Sequence, residues 1–160
     1  MSRISIFGNI VTPQLVIENS TLLIEDNRIA RIIELKEPEP EVDTKYDFSG
    51  KYIYPGLIDL HLHGALGQDA TDGDSNGLEE IAKHFATCGV TGFLATTVSE
   101  SYSRLKKAIK TVSIFKKDHI TAAQILGIHL EGPYLSEGRR GAHNLKNLRM
   151  PDPLEMEEFL

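Results

Sequence analysis

His61 and His63 stand two residues apart in YPGLIDLHLHGALG, residues 54–67, with Asp59 two positions before them. Side chains alternate across an extended strand, so all three point to one side, while Leu57, Ile58, Leu60 and Leu62 supply the strand's apolar content. Two neutral imidazoles at this spacing can grip one divalent ion, as zinc and the first-row transition metals prefer. An H-x-H pair also occurs as ordinary hydrogen-bonded core histidines. The glycine that follows and the acidic neighbour favour the metal.

A second cluster lies in GIHLEGPYLSEGRRGAH, residues 127–143. Ile125, Leu126, Ile128 and Leu130 form an apolar strand, which places His129 and Glu131 on one side of it until Gly132 and Pro133 end it. A carboxylate in such a place is costly to bury without a cation, so a metal or an arginine is its expected partner. Arg139 and Arg140 follow closely; they could attract an anion or be plain surface arginines.

The elements that deliver these ends follow in order. Residues 1–50 read as a small β-region with strands near 4–7, 15–17, 21–25 and 28–35; Asp26-Asn27 makes a tight hairpin, and another strand falls at 46–48 before Ser49-Gly50 turns the chain. The Pro-punctuated run 37–41 reads as an exposed connection. Residues 51–160 alternate strand, helix, strand, helix, strand. Leu78, Ile81, Ala82, Phe85 and Cys88 recur at helical spacing, with Asn76 as N-cap, Gly89 as stop, Cys88 as a small buried residue and His84 off the stripe toward solvent. Asp69, Asp72 and Asp74 read as turn and cap residues rather than ligands. Residues 90–98 form the next buried strand, and 102–116 a helix with Leu105, Ala108, Ile109 and Val112 on its inner face. His119, in the loop that follows, has no visible companions. Near-continuous apolar strands separated by helices predict parallel pairing and an α/β fold. At the end, Asp152, Pro153 and Glu155 read as the N-cap, first position and capping-box acid of a further helix.

The 160 residues are 41% hydrophobic and 25% charged, enough for one modest core, and the net charge of -6 disfavours nucleic acid as a partner. No stretch approaches the ~20 apolar residues of a membrane span, so no membrane partner is expected. Cys88 is the only cysteine, which excludes an internal disulfide and points to a reducing, cytoplasmic setting.

PGLIDLHLHG (55–64), GQDATD (67–72), GVTGFLATT (89–97) and the 127–143 segment together resemble the amidohydrolase superfamily, and more closely its N-acetylglucosamine-6-phosphate deacetylases. H-x-H alone indicates only the superfamily; HLEGP followed by RRGAH resembles the deacetylase branch, and the likeness runs over nearly the whole chain. It implies the first part of a metal-dependent (β/α)8 barrel preceded by a small β-sandwich-type region. It implies a divalent metal cofactor, zinc or another first-row transition metal, on Glu131, His61 and His63, the histidine pair being used by some members and lost in others. It implies substrate contacts from Ala142 and His143, an amino-sugar phosphate as small-molecule partner, and a homodimer. Two further metal histidines and an aspartate acid/base come from later strands in that family. No catalytic residue is therefore assigned here, Asp59 is read as helping to orient the histidines, and the chain is expected to be the N-terminal part of a longer protein, inactive alone. Two other readings stay open: another amidohydrolase branch, such as a cyclic amidase or deaminase, and a non-catalytic remnant serving as a binding module.

Overall fold

The structure is a computed structural model that describes residues 2–38, 40–118 and 122–160, without the side chains of 117 and 118. His119 and Glu39 lie outside the described residues. The chain divides into two compact units, Met1–Pro55 and Gly56–Leu160.

The first unit is a four-stranded sheet in the order β3-β2-β1-β4, built from β1 (Arg3–Val11), β2 (Val16–Glu25), β3 (Arg28–Ile33) and β4 (Thr44–Ile53). β1 pairs antiparallel with β2 and parallel with β4. Asp26 and Asn27 both take positive φ (47° and 64°), the conformation that matches a two-residue turn to the twist of its strands. Two sequence expectations change. The separate short strands near 15–17 and 21–25 are one strand, because β2 stays paired past an irregularity opposite Gly8 and Ile10. Ser49-Gly50 lies inside β4, where Gly50 at φ 72° lets the strand bulge and continue.

In the second unit β5 (Leu57–Leu62), β8 (Val90–Thr97) and β9 (Gln124–Leu130) form a parallel sheet in the order β5-β8-β9. α1 (Ser75–Thr87) and α2 (Tyr102–Asp118) connect them, the α/β alternation that the apolar pattern predicts. A small hairpin, β6 (Gly64–Ala65) with β7 (Gln68–Asp69), follows β5, and α3 (Pro153–Phe159) ends the chain. Leu62, Leu78, Ile81, Ala82, Phe93, Ala95, Val112, Phe115 and Ile125 belong to the core between sheet and helices.

Asp74, not Asn76, caps α1, its carboxylate accepting from the backbone N–H of Asn76 and Gly77. Cys88 is exposed rather than buried, because α1 ends at Thr87 and the next residue leaves the helical stripe. His84 is half-buried, its ring edge-on to Phe85 at 5.5 Å. Leu57, Ile58 and Leu60 are 61, 61 and 63% exposed, since β5 is an edge strand and only its last residue, Leu62, reaches the core. Asp152 does cap α3, but Glu155 bonds to Arg149 and Tyr134 rather than back to the cap, so there is no capping box. Asp69 caps the turn that starts at Ala70, and Asp72 pairs with Arg104 at 3.1 Å.

Candidate metal centre

The register of the parallel sheet brings the ends of its three strands level. Leu62 lies opposite Ala95, Thr96 opposite His129, and Thr97 opposite Leu130. His61 and His63 therefore emerge beside Glu131, which continues β9 through a hydrogen bond from its N–H to the Thr97 carbonyl at 3.3 Å. Glu131 Oε2 is 3.0 Å from His63 Nε2 and 3.3 Å from His61 Nε2, and the two Nε2 atoms are 3.1 Å apart.

His63 Nδ1 lies 3.1 Å from the Thr96 carbonyl oxygen, an acceptor, so this nitrogen carries the proton of the neutral ring and Nε2 offers a lone pair. A lone pair, a second imidazole nitrogen and a carboxylate oxygen at hydrogen-bond distance from one another repel unless a proton on His61 Nε2 or a metal cation lies among them. Two imidazoles and a carboxylate converging on one point form a donor set that suits zinc and similar divalent metals. The backbone carbonyl behind His63 is the kind of outer partner that orients metal-binding histidines.

The remaining residues fall around this point. Burial pushes the Glu131 carboxyl up, but the His143 hydrogen bond and the charge that the three imidazoles can carry outweigh it and hold the group below its usual range. His143 Nε2 is 3.5 Å from Glu131 Oε1. His61 also packs edge-on against His129, ring centres 4.8 Å apart. Asp59 accepts from the backbone N–H of His61 at 3.0 Å, so it steadies the strand rather than a ring. Ala142 and His143 line a cavity of about 610 Å³ with His61, His63, Glu131 and the two arginines. Arg140 donates to the His143 carbonyl at 2.6 Å, while Arg139 is exposed.

The sequence alone marks Thr96 only as part of the polar exit of its strand and does not mark Ser99 or Asn147. Thr96 holds His63 through its carbonyl and receives the Leu62 N–H on its hydroxyl at 2.9 Å. Ser99 contacts His143, and Asn147 donates to the Ser99 carbonyl at 3.0 Å. A Thr-Thr pair closing an apolar strand was the only signal available for any of them.

No family model matches the chain. Similarity to individual proteins is extensive. An N-acetylglucosamine-6-phosphate deacetylase of Vibrio furnissii is 33% identical over 143 residues, 89% of this chain and 36% of that protein. An N-acetylgalactosamine-6-phosphate deacetylase of Escherichia coli O157:H7 is 33% identical over 144 residues, 90% of this chain and 37% of that protein. The crystal structure of the Pasteurella multocida N-acetylglucosamine-6-phosphate deacetylase superposes with a TM-score of 0.88 at 28% identity, over 99% of this chain and 41% of that one. The chain thus spans little more than a third of the length of the curated relatives that it matches. Over nearly all of its own length, the chain is similar to N-acetylglucosamine-6-phosphate deacetylases in both sequence and fold.

Proposed function

We propose that the chain forms the metal-holding part of a hydrolase that removes the acetyl group from N-acetylglucosamine 6-phosphate, giving glucosamine 6-phosphate and acetate. The observation that carries this reading is the convergence of His61, His63 and Glu131 beside His143, over a cavity whose wall includes Arg139 and Arg140. The three parallel strands serve as the first part of a (β/α)8 barrel, a fold that collects its chemistry at the C-terminal ends of its strands, where these residues stand. The single cysteine accords with a cytoplasmic setting, and a homodimer is part of the same reading.

His61 and His63 contribute neutral nitrogens and Glu131 the negative charge that balances a divalent cation. Zinc or another first-row metal held there supplies Lewis acidity toward an amide carbonyl and toward water. His143 and the backbone of Ala142 orient the sugar. Arg139 has no ion pair among the described residues, and its guanidinium is suited to a phosphate.

The carboxylates lining the cavity among the described residues are Glu131 and Glu100. Three imidazoles surround Glu131, and Glu100 is held by Arg104 at 2.9 Å, so neither is free to act as a general base. The 160-residue chain is therefore expected to bind the sugar phosphate and to release acetate at or below detection.

Titration of the zinc-loaded chain with N-acetylglucosamine 6-phosphate, followed by amide NMR, tests the reading. Saturable shifts at Ala142 and His143, much weaker with unphosphorylated N-acetylglucosamine, are expected. No saturable shift, or an equal response to both sugars, contradicts it. The Escherichia coli relative's name makes the galacto epimer a second reading, and parallel titration with N-acetylgalactosamine 6-phosphate decides between them.

A further inference from the structure

His143 is held from behind. Its Nδ1 receives the backbone N–H of Ser99 at 3.0 Å and lies 2.8 Å from the Ser99 hydroxyl, and both residues are buried. A ring nitrogen that accepts an N–H carries no proton of its own, so the proton of the neutral ring sits on Nε2; the hydroxyl can only add a second donor to Nδ1. Nε2 is the nitrogen that faces Glu131 Oε1, on the side of the ring that lines the cavity.

We propose that Ser99 is a positioning residue that fixes His143 as the Nε2–H tautomer, so that this imidazole meets the cavity as a hydrogen-bond donor to an oxygen and not as a proton acceptor. The inference rests on the functional reading above for the identity of that oxygen, an acyl, hydroxyl or phosphate oxygen of the sugar. The tautomer itself is independent of any sugar.

Ser99 is in turn held on three sides. Asn147 Nδ2 donates to its carbonyl at 3.0 Å, and Arg149 donates to the carbonyl of the next residue, Glu100, at 2.8 Å. Gly132, at φ 77°, approaches so closely that a Cβ there would overlap the Ser99 hydroxyl. Only glycine combines that backbone conformation with that approach. The turn after β9 thus closes over the serine that orients His143, which links the glycine of HLEGP to the histidine of RRGAH through a residue in neither motif.

Long-range 1H–15N correlation spectra of the 15N-histidine-labelled chain, recorded where the rings are neutral and without sugar, test the proposal. The His143 signals are assigned by their loss in His143→Gln. The expected wild-type result is an Nδ1 shift typical of an unprotonated ring nitrogen and an Nε2 shift typical of a protonated one. Ser99→Ala keeps the backbone donor, and with it the tautomer, but loses the hydroxyl donor; it is expected to move the unprotonated Nδ1 of His143 downfield, as a nitrogen that has lost a hydrogen bond, while Nε2 stays protonated and His84 stays in place. A merely structural serine would leave the ring shifts unchanged. An Nδ1–H tautomer in the wild type, or unmoved His143 shifts in a folded Ser99→Ala, overturns the proposal; if that variant does not fold, the wild-type spectrum still decides. Failure of sugar binding would leave the tautomer result standing, and the reverse holds equally.

Discussion

His63 donates from Nδ1 to the carbonyl of Thr96 at 3.1 Å, and that one contact turns its other nitrogen into a lone pair aimed at Glu131. His63 directly follows β5 and Thr96 lies in the neighbouring parallel strand β8, so the pairing of these two strands sets the tautomer. A side-chain partner could be lost by mutation; a backbone carbonyl cannot. The centre is thus built into the register of β5 against β8.

Acid should loosen the second unit through Glu155. The Arg149 hydrogen bonds hold its carboxyl below the ordinary value, burial opposes them, and Tyr134 adds a bond at 2.7 Å. A group whose folded pKa is depressed stabilises the fold above its unfolded value, about 4.3, and this stability is lost as pH falls through the folded value. Glu155→Gln is expected to cost about 2 kcal/mol at neutral pH and to flatten the acid limb of the stability curve. Urea melts across the pH range check this; superimposable curves for variant and wild type would contradict it.

Phe93 belongs to β8, the strand that carries Thr96, and is fully buried at 0% exposure with the Phe85 ring centre 6.4 Å away. Phe93→Ala removes a large core side chain and leaves a cavity, at a cost of about 3–5 kcal/mol. The urea midpoint should fall accordingly. A loss under about 1 kcal/mol would mean that the core collapses into the gap or that β8 is not its centre.

Cys88 should react with a maleimide in the native chain as fast as it does in urea, because it is exposed just past the end of α1. Mass spectrometry after short labelling times reads this directly. Labelling only after unfolding would show that the helix continues and buries the thiol.

The side-chain half of the centre was legible in the amino-acid sequence, and the backbone half was not. His61, His63 and Glu131 are strand positions of one parity near glycines, and the two-residue period of a strand predicts their shared side. Thr96 and Ser99 act through a carbonyl and an N–H, groups that every residue owns, so no residue type marks them. Asp74 and Asn76 are both capable N-caps, and only the path of the chain selects between them. Cys88 fits the spacing of a helix that ends one residue earlier. Leu57, Ile58 and Leu60 show what a strand is able to bury, whereas burial depends on what lies across from it.

Zinc affinity of the 160-residue chain, measured by competition with a chromophoric chelator, tests the shared centre most directly. One saturable site is expected, weakened at least about tenfold by His63→Gln and by Glu131→Gln, with His84→Gln binding as the wild type does. Wild-type affinity in both the His63 and Glu131 variants, or no saturable binding by the parent chain, would show that these strand ends do not hold a metal.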